Sequence, residues 1–153
     1  MDTAIWVGLI IGTGGTIIEL FRRSVTKSSK LMKAAEADDL EKFKNLLGKR
    51  KIKINAYGSN GNRPLHIAAG KWGKEGLIEE ILSKGAVIDI RNIYKQTPLH
   101  FAAAFGRLDA IKTLIEHGAD FQAKEANGFT PLQIAEKGKK KRTIELLKSY
   151  GAE

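Results

Sequence analysis

Thr97-Pro98-Leu99-His100-Phe101-Ala102-Ala103 decides the fold, because it does not stand alone. Pro64-Leu65-His66-Ile67-Ala68-Ala69 precedes it and Thr130-Pro131-Leu132-Gln133-Ile134-Ala135 follows it, with prolines 34 and then 33 residues apart. A second motif recurs in phase as Gly85-Ala86-Val87, Gly118-Ala119-Asp120 and Gly151-Ala152, so the unit repeats at both of its ends. Self-similarity at such a period is the mark of a stacked repeat architecture. Threonine suits a helix N-cap, proline the first helical position, and paired alanines allow close helix approach. Glycine after the second helix supplies the left-handed conformation that ends it. The unit is helix, turn, helix and outgoing hairpin loop.

This pattern resembles the ankyrin-repeat family. The resemblance implies an all-α solenoid of helix-turn-helix units with hairpin loops, spanning residues 28–153 as repeats of about 28–60, 61–94, 95–127 and 128–153. A degenerate first unit begins at Leu31-Met32-Lys33-Ala34-Ala35, and Leu40, Phe43, Leu46 and Leu47 sit at helical spacing behind it. It reads as an N-terminal cap. The last unit reads as the opposite cap, since Lys137, Lys139, Lys140, Lys141 and Arg142 give it the polar outer face such a unit needs. Two departures stand out. Arg63 replaces the capping threonine, and Gly70-Lys71-Trp72-Gly73 is one residue longer than Ala104-Phe105-Gly106, so the first helix of the second unit, or its turn, must be altered.

Ahead of the repeats, Ala4 to Phe21 reads AIWVGLIIGTGGTIIELF. It would measure about 27 Å as a helix, near the thickness of a bilayer core. Ten large apolar residues outweigh four glycines and Glu19 on an insertion scale. Only Asp2 precedes the run, while Arg22, Arg23, Lys27 and Lys30 follow it, the layout of an anchor rather than of a cleaved signal. The expectation is a single transmembrane-type anchor helix over residues 1–22, a basic linker over 23–27, and the repeats on the cytoplasmic side. Burial of the run against the fold is the alternative. Gly12-Thr13-Gly14-Gly15 is no dinucleotide loop, because Ile17 stands where its third glycine should be. Ala4, Gly8, Gly12 and Gly15 share one helical side with Glu19, a docking face for a second membrane helix. The four following cations would meet lipid headgroups.

The 153 residues carry a net charge of +9 and contain no cysteine, which excludes disulfides, thiolate metal sites and cysteine nucleophiles. The basic balance suits nucleic acid, anionic lipid or an acidic protein equally. The tracts Lys49–Lys53 and Lys137–Arg142 read as solvated surface, which makes nucleic acid the weaker partner. His66 and His100 hold the same repeat position, where the resemblance implies hydrogen bonds tying hairpin to helix rather than metal ligation. No acid, base and nucleophile arrangement is interpretable, so no catalytic residue, cofactor or metal is expected. The resemblance implies a protein partner, held at hairpin tips and on the first-helix face by Ser59, Asn60, Asn62, Ile93, Tyr94, Gln96, Phe105, Asn127 and Phe129. Trp72, in the inserted turn, and Arg91 join them. Tyr94 should point outward, and Phe105 should tuck under its neighbour. The function expected is that of a membrane-anchored adaptor; the alternative is an accessory subunit of a membrane protein complex, docked through its N-terminal helix.

Overall fold

The computed structural model describes residues 30–153. The expected anchor helix, its docking face and the cations Arg22, Arg23 and Lys27 lie outside the described residues. Within them the protein is all-helical, with no strand and with no helix long and apolar enough to cross a membrane. Four helix pairs follow one another: α1 (Lys30–Glu36) with α2 (Leu40–Leu47), α3 (Pro64–Ile67) with α4 (Glu75–Ser83), α5 (Pro98–Phe105) with α6 (Leu108–Glu116), and α7 (Pro131–Lys137) with α8 (Lys141–Ser149). First helices stack on first helices, and α4, α6 and α8 stack behind them.

The stacking follows from residue size. Ala34, Ala35, Ala68, Ala69, Ala102, Ala103 and Ala135 are all buried, and these small side chains let the first helices approach closely, with the His66 and Phe101 rings edge-on at 5.2 Å between α3 and α5. Larger side chains fill the layer between the helix rows, among them Phe43, Leu47, Ile78, Ile81, Ile111, Leu114 and Leu147. Each fully buried aliphatic chain contributes about 1.5–3 kcal/mol by leaving water. Proline opens α3, α5 and α7. At α7 the capping is reciprocal, with Gln133 N donating to Thr130 Oγ1 at 3.4 Å and Thr130 N donating to Gln133 Oε1 at 3.0 Å.

The extra residue of the second unit is absorbed by a change of helix type. After Ile67 the chain runs on as a π-helical turn, Ala68–Trp72, closed by Gly73 N donating to Ala68 O across 2.8 Å. One added residue in an α-helix gives this wider turn. Gly73 then takes φ 61°, and a Cβ on it would lie 2.8 Å from Arg107 Cβ, so glycine is required both for conformation and for space. The turns of the other three pairs reach the same left-handed region through Asp38, Gly106 and Lys139.

Candidate functional site

Three long loops join the pairs, and their tips are closed alike: Gly58 N donates to Asn62 O, Asn92 N to Gln96 O and Glu125 N to Phe129 O, at 2.8, 3.1 and 3.0 Å. Successive tips are also tied to each other. Ile93 N donates to Asn60 O at 3.1 Å, and Ala126 N donates to Tyr94 O at 2.9 Å. These backbone bonds help to hold a row of loop tips at fixed spacing.

At the second and third tips the side chain that rigidifies the turn is buried. Asn92 Oδ1 accepts from Tyr94 N and Gln96 N, while its Nδ2 donates to Asn62 Oδ1 and Gln96 Oε1. One unit later Glu125 takes the place, its carboxylate accepting from Asn127 N, Asn127 Nδ2 and Phe129 N. One unit earlier the position is Gly58. A Cβ there would strike Met32 Cε and Glu36 Oε1, because the Glu36 carboxylate already fills the space and accepts from Ser59 N at 2.6 Å. Sequence reading passed over Asn92, Glu125 and Glu36, since loop amides and carboxylates look alike whether solvated or turned inward. The fixed offset of Asn92 and Glu125, two residues ahead of Tyr94 and Asn127, was the available signal.

Each tip is bolted to the helix before it. Arg63 N donates to His66 Nδ1, and the other ring nitrogen of His66 lies 2.9 Å from Gln96 O. Thr97 N donates to His100 Nδ1 at 3.1 Å, with His100 Nε2 at the same distance from Phe129 O. A backbone amide can only donate, so both rings are neutral at Nδ1 and donate through Nε2. Burial pulls the His66 pKa down from 6.5 to about 4, with nearby Arg63 acting in the same direction. Burial also lowers His100.

The expected contact residues divide into two groups. Ile93, Tyr94 and Phe105 are exposed large hydrophobic residues, and Ser59, Asn60, Arg91 and Asn127 are exposed beside or between them. Phe105 does not tuck away: its ring sits 6.4 Å from that of Phe101 and stays more than half exposed. Asn62 and Gln96 are half-buried partners of Asn92. Phe129 is half-buried beneath the Lys137 ammonium, 3.8 Å from its ring centre. Arg91 spends Nη1 on Lys124 O at 2.9 Å. Trp72 is not on a free loop surface. The π turn swings it back over the first unit, edge-on to Phe43 at 4.9 Å, with Nε1 donating to Asp38 Oδ1 at 2.7 Å. Tyr57, which the sequence reading left out, is exposed under the Arg63 guanidinium, 3.5 Å from its ring centre. Lys30 is exposed at the start of α1. Among the described residues no group of three or more histidine or acidic side chains could hold a metal ion.

Stacked helix pairs carrying a ladder of tied loop tips define a repeat solenoid, the class of protein that presents an extended face to a macromolecule. The family described as "Ankyrin repeats (3 copies)" matches residues 31–125 and 72–153, and the chain belongs to the ankyrin-repeat family. It is similar to "Serine/threonine-protein kinase VIK" of Arabidopsis thaliana, at 45% identity over 42% of this chain and 15% of that one. It is similar to "Transient receptor potential cation channel subfamily A member 1" of Homo sapiens, at 31% identity over 61% of this chain and 9% of that one. A third relative is "Potassium channel KOR2" of Oryza sativa subsp. japonica, at 40% identity over 50% of this chain and 11% of the other. The chain thus spans no more than 15% of the length of these three.

Proposed function

We propose that this protein is a membrane-anchored adaptor that holds a protein partner on its loop tips and carries out no catalysis. Ankyrin repeats act as modules of protein-protein interaction. The observation that carries the reading is the pair Ile93 and Tyr94, large and exposed on a tip whose own backbone is bonded to both neighbouring tips. A rigid aromatic anchor loses little entropy on binding, which is why tyrosine is frequent among interface hot spots. Ser59, Asn60 and Asn127 would supply polar contacts on either side, and Phe105 an apolar one on the first-helix face. Ala4 to Phe21 would hold the domain at a bilayer, with Arg22, Arg23, Lys27 and Lys30 among the headgroups. Two of the relatives are named as ion channels, which accords with work at a membrane.

One feature favours a second reading, an accessory subunit docked into a membrane complex through its N-terminal helix. Gly8 and Gly12 form a G-x-x-x-G pair on the same side as Glu19, the arrangement that lets membrane helices meet closely. A mild-detergent pull-down separates the two. Partners captured by the full chain and also by a chain beginning at Ser24 support the adaptor, provided that Ile93→Ala with Tyr94→Ala abolishes capture. Partners lost with the N-terminal segment and indifferent to the tip substitutions support the subunit.

A further inference from the structure

At the edge opposite the loop tips, between the α5–α6 turn and the α7–α8 turn, lies an open cavity of about 430 Å³. Its lining includes Phe105, Lys139, Lys140, Lys141, Arg142 and Thr143, and it contains no carboxylate. The four cations are exposed. The three ion pairs found among the described residues, Lys44 with Glu41, Lys71 with Asp38 and Lys148 with Glu136, use none of them.

The backbone concentrates this charge. Lys139 stands at the left-handed turn position, φ 52°, that Gly73 and Gly106 hold in the two preceding turns, so an unfavourable residue adds a cation at the rim. Lys141 N donating to Lys139 O tightens the turn. The Lys140 stem runs alongside Gly106, where a Cβ would make ordinary contact with its Cδ at 3.6 Å. Lys140 also caps α8 without offering a side-chain acceptor, and α8 has no acidic residue in its first turn, whereas the carboxylate of Asp39 accepts from Lys42 N at the head of α2.

We propose that this cavity binds a compact polyphosphorylated anion, one small ring or chain bearing two or more phosphate groups. Each phosphate monoester carries about −1.5 to −2 charges at neutral pH, so two of them balance four cations within one cavity. An acidic peptide would need several carboxylates to converge on the same space. Lysine serves phosphate as a point charge, arginine can grip two oxygens at once, and the exposed Phe105 ring offers an apolar wall to the carbon skeleton. The volume falls in the range of small-molecule sites, roughly 300–1,000 Å³. Such an anion comes either free in solution or as the headgroup of a lipid.

The test uses the full chain in detergent at about 0.15 M salt, where exposed charges more than roughly 8 Å apart are screened. Inositol hexakisphosphate is titrated calorimetrically into the wild type, into Lys140→Gln with Arg142→Gln, and into Lys49→Gln with Lys51→Gln, which removes the same charge elsewhere. Saturable one-to-one binding is expected, weakened at least about tenfold by the first pair and less than about twofold by the second. Circular dichroism confirms that each variant is folded. Absence of saturable binding, or equal weakening by both pairs, would overturn the proposal, as would tighter binding of single-stranded RNA that depends on the same residues. A second arm compares wild type and the Lys140/Arg142 variant on phosphatidylcholine vesicles with and without bisphosphorylated phosphatidylinositol, so that any contribution of the N-terminus cancels. A wild-type gain on the phosphorylated vesicles that the variant lacks supports the site and makes the lipid headgroup the source. No such gain, with the calorimetric difference intact, supports it with a free anion.

Discussion

His66 Nε2 reaches the carbonyl of Gln96, 2.9 Å away and thirty residues further along the chain, while its Nδ1 accepts from Arg63 N. One neutral ring therefore fastens the start of a helix to the loop that follows it. Its pKa of about 4 makes the fastening sensitive to acid. The unfolded chain takes up a proton near pH 6.5 and the folded one only near pH 4. Between these values the unfolded state binds more protons, so stability falls as pH drops through that window and levels off below it. For His66 the full loss is on the order of 3 kcal/mol. Gln133 caps α7 from the equivalent position, so His66→Gln should still fold while flattening the dependence. Urea midpoints measured from pH 7 to pH 4 check this, and an unchanged slope in the variant would refute it. His100 titrates in the same direction, since burial lowers it too, and it should supply the slope that remains.

Trp72→Ala should cost about 2–4 kcal/mol in chemical denaturation. It removes the edge contact with Phe43 and leaves Asp38 without the indole donor. Amide exchange should show the loss concentrated in α1 and α2. Uniform loss through α8, or none, would contradict the role given to Trp72 as the tie between the first two units.

Ile93→Ala combined with Tyr94→Ala should leave the urea midpoint within the change expected of exposed positions, about 0.5 kcal/mol, because neither side chain enters the core. Partner capture should nevertheless weaken by tenfold or more, the usual scale for an interface hot spot, roughly 1.4 kcal/mol and above. A folded double variant with undiminished capture would remove the loop tips from the binding surface.

The full chain should resist alkaline carbonate extraction from membranes, because Ala4 to Phe21 is long enough to span a bilayer core. Gly8→Leu with Gly12→Leu should keep or improve insertion and reduce crosslinking to a neighbouring helix, since bulk blocks close packing without adding polarity. Recovery in the carbonate supernatant refutes the anchor. Undiminished crosslinking in the double variant refutes the docking side alone.

The helix pairs were legible because their punctuation is local: a proline at the start of three of the four first helices and a glycine after each second helix need no distant information. The residue count of the second turn likewise announced that something there must give. What it could not announce was the direction of Trp72, because winding five residues into a π turn rotates the side chain away from where an α-helix would send it. The loop tips were legible as loops and not as a network. Asn92, Glu125 and Glu36 are polar residues in polar surroundings, and only the fold shows that the first two are buried and that the third reaches across to Ser59 N. Phe105, which the sequence places among the contact residues, stays outside with its ring more than half exposed.

Because the surplus residue of the second unit is taken up within one turn and released at Gly73, nothing downstream is displaced: α5 to α8 stack as if the spacing had been uniform. The second unit thus carries one extra residue with no change of phase. Pieces of standard length from other proteins of this kind could be spliced in after Gly73 and would meet a matching edge, which makes that glycine a natural seam for building longer or chimeric solenoids from this one.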